Sequence, residues 1–352
     1  IGYQAMDALT VGDDNLAIGY QSMSALSTTS GIDRNIAIGN YSMDQATTSA
    51  HADNIFIGFN SGGGIWNTGA ATLGCVAIGN YTMTGVMNAA NRNTAVGHYS
   101  GTSLTSGSNN TFLGKGSAQS LTTGEGNVII GYNAFDVANA TETGNVAVGL
   151  DAMGAVDEGE NAGSDTVSAD NNIAIGLQAL LGGDMGDASS SSGANRNFDG
   201  NIAIGAYALD ATGATAHTGA IAIGYQAGTA VNSADAVGLT LVGYQAGLAL
   251  TEGAKNTIVG YQAGVSLSTG DQATYVGYKA GNLATVGSNT AVGYQALMAS
   301  TGGASNTAVG QVAGQKCTGD NNVFLGAYAG FNNEEQDNNV YIGSNSGANM
   351  DD

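Results

Sequence analysis

Apolar and polar positions recur in one short unit, clearest in NTIVGYQAG from Asn256 to Gly264 and NTAVGYQA from Asn289 to Ala296, with NIAIG at Asn35, Asn172 and Asn201. Counting its glycine as position 0, the unit carries Asn at −4, three β-branched or apolar residues at −3 to −1, and a small residue at +3. Ile, Val or Leu precedes every glycine, as in Ile18, Val96, Leu113 and Ile342. Ala, Ser or Thr follows at +3, as in Ala5, Ser22, Thr82 and Ala329. A three-residue β-branched run closed by a turn residue predicts a short strand. About nineteen copies, mostly 16 to 21 residues apart, predict a repeat architecture rather than two or three globular domains.

Side chains alternate along a strand, so −3 and −1 share one face and −2 takes the other. Position −2 is Ala in about half of the copies and otherwise an apolar or aromatic residue such as Phe56, Phe112, Ile258, Tyr275 or Phe324, never a charge. A strand apolar on both faces needs cover on both. The rest of its own coil covers one face, including a second apolar segment exemplified by Leu104, Leu121, Leu250 and Leu267. The other face predicts a partner chain, and a homotrimer closes around one axis. The expected fold is all-β: a parallel β-solenoid or β-roll with one coil per ~17 residues. At the usual strand spacing of about 4.8 Å, a single array over 1–352 reaches on the order of 90 Å. Longer intervals after Gly149 and Gly176 place insertion loops at 154–171 and 181–200, the second with a flexible Ser189–Gly193 run.

Each column has a structural role to fill. The glycines, among them Gly19, Gly39, Gly97, Gly260, Gly293 and Gly310, suit a positive φ or a close backbone approach. Asn fills −4 in fourteen of eighteen copies, including Asn35, Asn93, Asn256, Asn289, Asn306 and Asn339. An Asn tolerates a left-handed turn and, when stacked, bonds the next Asn one coil away. Cys75 stands in that column, and its distance in coils from Cys317 rules out an intrachain disulfide. Tyr-Gln follows the glycine in the most regular copies, giving Tyr225, Tyr244, Tyr261 and Tyr294 as a packed corner column or an aromatic strip for ligand contact.

Composition narrows the partners. Glycine supplies 57 residues and proline none, which excludes collagen. The 43% hydrophobic content is enough for a core. A net charge of −21 disfavours nucleic acid and anionic membrane surfaces. No stretch reads as a membrane span. His51, His98 and His217 fall in separate copies without metal or triad spacing, so neither catalytic residues nor a cofactor is expected. Asp157, Glu158, Glu160, Asp165 and Asp170 form an acidic cluster without a calcium-loop pattern and read as solvated turns.

The NTAVGYQA and NTIVGYQAG copies resemble the repeat regions of phage tail-fibre proteins, often followed in that family by a self-cleaving endosialidase-type chaperone domain. NIAIG with a small residue after it is more loosely similar to the head repeats of trimeric autotransporter adhesins. The resemblance implies a homotrimeric extracellular fibre, part of a virion or alternatively of a bacterial surface, that presents a tip to a host-cell glycan or protein. A different expectation is a monomeric solenoid that binds ice or polysaccharide through its Thr and Tyr columns.

Overall fold

The computed structural model describes all residues except 26–30, 46–49, 67–69, 139–140, 157–168, 183–196, 213–216 and 349–352. The chain is all-β, a parallel solenoid with about 18 residues per coil, slightly above the expected spacing. Two compact units divide it. One spans Ile1–Ala174, and the other Ile175–Gly183 with Arg196–Asp352. The 157–168 and 183–196 parts of the expected insertion loops lie outside the described residues.

In the first unit the strands are Leu16–Ile18, Ile36–Ile38, Ile55–Ile57, Val76–Ile78, Thr94–Val96, Thr111–Leu113, Val128–Ile130 and Val146–Val148. In the second they include Ile202–Ile204, Ile221–Ile223, Thr240–Val242, Thr257–Val259, Thr274–Val276, Thr290–Val292, Thr307–Val309, Val323–Leu325 and Val340–Ile342. Successive strands within each unit pair in parallel and in strict register, as in Thr257↔Thr274, Ile258↔Tyr275 and Val259↔Val276. A minor pair, Phe198–Asp199 with His217–Thr218, lies beside the main ladder of the second unit. Pairing continues past the strand, since Gly277 N–H donates to Val259 O at 2.8 Å.

Four positive-φ positions recur along the coils, and their differing demands explain why the repeat can vary so much in sequence. The anchor glycines sit near φ +140°, as Gly97 at +142° and Gly260 at +140° do, a region closed to other residues. A Cβ on Gly260 would also overlap the carbonyl oxygen of Gly277 in the next coil. Positions −5, +2 and +4 are left-handed but near φ +55°, which costs a side chain about 1–2 kcal/mol. They therefore admit Lys255 (+59°), Gln262 (+51°) and Met43 (+51°) as well as glycine. The left-handed residue of the turn thus precedes the −4 Asn rather than being it. This corrects the turn role expected for that column.

The −4 amides instead build a buried ladder. Asn110 N–H and Nδ2 both donate to Asn93 Oδ1 at 3.0 Å, and Asn110 Nδ2 also donates to Gly124 O at 2.8 Å. Asn127 N–H then donates to Asn110 Oδ1 at 2.8 Å. Each amide so satisfies two backbone groups of the following coil, which a buried polar side chain must do to be tolerated. Cys75 keeps part of the pattern: its N–H donates to Asn54 Oδ1, and its thiol to Ala90 O at 2.9 Å. Both cysteines are free and buried.

In most coils the interior is filled by reciprocal sizes at −2 and +4, the coil of Ile129 and Phe135 being large at both. Ala17, Ala37, Ala77 and Ala147 at −2 accompany Met23, Met43, Met83 and Met153 at +4, all buried. Phe56, Tyr275 and Phe324 accompany Gly62, Gly281 and Gly330, where an added Cβ would strike the same ring. In coils where both positions are small, neighbours fill the space: Gly228 is bounded by Leu241 and Leu209. The +7 column adds Leu104, Leu121, Leu250, Leu267 and Cys317, all fully buried.

Candidate functional site

With −2 turned inward, −3 and −1 form the outer face of each sheet. Every three-residue strand except Val340–Ile342 has a buried central residue and flanks that are partly or fully exposed, as in Thr257–Val259 and Val323–Leu325. Leu16, Leu113 and Leu325 are 43%, 47% and 45% exposed although strongly apolar. No Asp, Glu, Lys or Arg occupies −3 or −1 in any copy, although the chain carries 28 acidic residues. Each unit therefore has a column of Ile, Val, Leu and Thr facing outward in a strongly anionic molecule. Thr240, Thr257, Thr274, Thr290 and Thr307 are consecutive in register there, beside Val242, Val259, Val276, Val292 and Val309.

Position +1 borders this face. Tyr225, Tyr244, Tyr261 and Tyr294, singled out in the sequence, are joined by Tyr278, which the Tyr-Gln pattern missed because Lys279 follows it. Consecutive rings of this set lie 5.1–5.4 Å apart and within 15° of parallel. In the first unit the aromatic column is broken into mixed geometries, stacked for Tyr81–Tyr99 and edge-on for Tyr41–Phe59. Beside the regular stack, Gln262 Nε2 donates to Gln245 Oε1 at 2.9 Å, and Gln245 to Gln226 at 3.0 Å. That glutamine ladder was legible as a recurrent +2 Gln but was not assigned a role.

Titratable groups inside the coils are structural in placement. His51 and His217 are buried and pushed down to about 4 by desolvation. His51 Nδ1 accepts the Thr72 N–H at 3.0 Å, and its ring meets Trp66 edge-on at 4.8 Å. His98 lies elsewhere, against Tyr99 at 4.0 Å. Burial pushes Asp44 up to about 6 and raises Asp136 and Asp210. All three occupy +5, a recurrence the sequence reading overlooked. Burial likewise pushes both thiols up to about 11.

Of the acidic cluster, Asp157, Glu158, Glu160 and Asp165 lie outside the described residues. Asp170 Oδ1 accepts the Thr143 N–H at 2.6 Å. Among the described residues no group of three or more His, Cys, Asp or Glu side chains is arranged to hold a metal ion. No helix of the described residues is long and apolar enough to cross a membrane. Comparison with protein-family models, with curated proteins and with solved structures finds no match to this chain.

Proposed function

We propose that this chain forms the shaft of a homotrimeric extracellular fibre of the phage tail-fibre kind, which presents a host-binding tip. One observation carries the reading: an uncharged, apolar outer strand face in a molecule of net charge −21. Copies that pack there would bury it without burying charge. The face supports a reading with more than one copy. The number three and the virion setting follow from the resemblance of the NTAVGYQA repeats. Light scattering tests it: the expected mass is about three times the 34.8 kDa chain, and a value near 34.8 kDa sinks the proposal. Val259→Asp with Val276→Asp is expected to disperse the assembly while leaving the far-ultraviolet spectrum of the coils unchanged.

The five-rung Thr column favours a second reading, an ice- or polysaccharide-binding face on a monomer. An ordered Thr-Val array is flat, uncharged and regular. Inhibition of ice recrystallisation, lost in Thr257→Lys with Thr274→Lys, is its expected signature.

A further inference from the structure

We infer that the tyrosine ladder from Tyr225 to Tyr294 is an oxidative modification site, at which a one-electron oxidant joins neighbouring rings as dityrosine and so links successive coils covalently. The backbone brings the rings together and keeps them there. The carbonyl of each +1 tyrosine accepts the +2 N–H of the next coil: Tyr225 O from Gln245, Tyr244 O from Gln262, Tyr261 O from Lys279 and Tyr278 O from Gln295, all at 2.8–2.9 Å. The rings that spring from these fixed points follow one another at 5.1–5.4 Å and within 15° of parallel. These five residues are 40–48% exposed, so an oxidant in solution reaches them.

Ring orientation decides which pairs couple. Removing one electron and the hydroxyl proton from a phenol leaves a radical whose spin lies partly on the carbons ortho to the oxygen, in lobes perpendicular to the ring. Two such radicals stacked face to face turn those lobes towards each other, and rotation about the side-chain bonds closes an ortho–ortho C–C bond. Each bonded carbon then gives up its proton and each oxygen regains one, which restores both aromatic rings. In sum, two phenols lose two electrons to two equivalents of oxidant and two protons to water, and one C–C bond replaces two C–H bonds. An edge-on pair at the same distance turns the lobes of one ring against the C–H edge of the other and does not couple. Tyr20 and Tyr41 supply that contrast in the first unit, 5.4 Å apart but inclined at 77°. Stacked tyrosine pairs there, Tyr3 with Tyr20 and Tyr81 with Tyr99, are isolated rather than part of a run.

The probe is a photogenerated ruthenium(III) complex, a one-electron oxidant, applied to the dilute full chain before digestion with trypsin and mass spectrometry. Cleavage after Arg196, Lys255, Lys279 and Lys316 puts Tyr225 and Tyr244 on fragment 197–255, Tyr261 and Tyr278 on 256–279 and Tyr294 on 280–316. The other tyrosines of these fragments are Tyr207, which meets Tyr225 edge-on at 89°, and Tyr275, which is fully buried. Two products are expected: 197–255 joined to 256–279 through Tyr244 and Tyr261, and 256–279 joined to 280–316 through Tyr278 and Tyr294. Each is two hydrogens lighter than the sum of its parts, and the dityrosine fluorescence runs in the single-chain band of a denaturing gel. Phenylalanine keeps the stack but has no hydroxyl to lose. Tyr261→Phe should therefore abolish the first product and keep the second, and Tyr278→Phe the reverse. Fragments 1–34 and 35–92, which carry Tyr20 and Tyr41, should stay unjoined. Absence of both products, dityrosine confined to bands of higher mass, or products that persist in the Phe variants overturns the inference; joining of 1–34 to 35–92 in equal yield overturns its dependence on stacking. The result is independent of the fibre reading: a monomer that forms both products sinks only the fibre, and a trimer that forms neither sinks only this inference.

Discussion

At Gly260 and Gly126 one substitution separates two uses of glycine. Gly260 combines φ +140° with a Cβ position that overlaps the next coil, whereas Gly126 at φ +69° has nothing within 4 Å of its Cβ position. Gly126→Ala is expected to cost about 1–2 kcal/mol, the left-handed penalty. Gly260→Ala should exceed it, by roughly 2–4 kcal/mol in total, because strain and backbone collision add. Urea unfolding of the two variants measures the difference. The −4 amide gives a second test at this scale. Asn306 Oδ1 accepts Asn322 N–H at 2.8 Å, while its Nδ2 donates to Gly319 O at 2.8 Å. Asn306→Asp keeps the acceptor, loses the donor and buries a charge. A loss of about 3 kcal/mol or more is expected at neutral pH, shrinking as acid protonates the new carboxyl.

Buried ionisable groups add a pH dependence of opposite signs. The Asp44 carboxyl, held at about 6 by burial, stabilises the fold below its ordinary value of 3.8, and that contribution is lost as pH rises through 6. His51 and His217, held near 4, stabilise it above 6.5, and that contribution is lost as pH falls through 4. Asp44→Asn is therefore expected to raise the melting temperature at pH 7 with the gain vanishing towards pH 4. His51→Gln, which retains an acceptor for Thr72, should flatten the decline between pH 6.5 and 4. Melting curves across that range separate the two groups.

Within a coil the decisive relation is volume shared between −2 and +4. Phe324→Ala removes a buried ring that bounds both Gly314 and Gly330 and is expected to cost about 3–5 kcal/mol. Adding Gly330→Met restores the Ala-and-Met arrangement found naturally at Ala37 and Met43. The pair should recover part of that loss, with a coupling of at least about 1 kcal/mol in a double-mutant cycle. Independence of the two sites in that cycle would refute reciprocal filling. The strands themselves were legible because Thr-Ile-Val and its variants are β-branched runs ending on a glycine. The reciprocity was equally present in the letters, since Met or Leu at +4 follows Ala at −2. It stayed unread because +4 had no assigned direction until the left-handed turn at +2 and +4 was seen to return the chain inward.

For the whole molecule, the sequence alone determined the parallel repeat and that −3 and −1 share one strand face while −2 takes the other; that −2 is the buried one was decided by the structure. A glycine that tolerates no Cβ recurs with a strand on its N-terminal side, and alternation then sets which residues share a face. The Asn ladder was also foreseeable, because a recurrent amide in a stacked repeat finds its own copy one coil on. Tertiary structure alone decided the rest. It moved the left-handed residue from −4 to −5, for the Asn side chain is needed inside, where its donor and acceptor both find backbone partners. It desolvated Asp44, His51 and His217, a matter of depth that spacing does not encode. And it turned the tyrosines face to face. A list of Tyr residues does not encode ring orientation, whereas side chains repeated in register along a β-ladder align, so that Tyr225, Tyr244, Tyr261, Tyr278 and Tyr294 follow one another at 5.1–5.4 Å and within 15° of parallel.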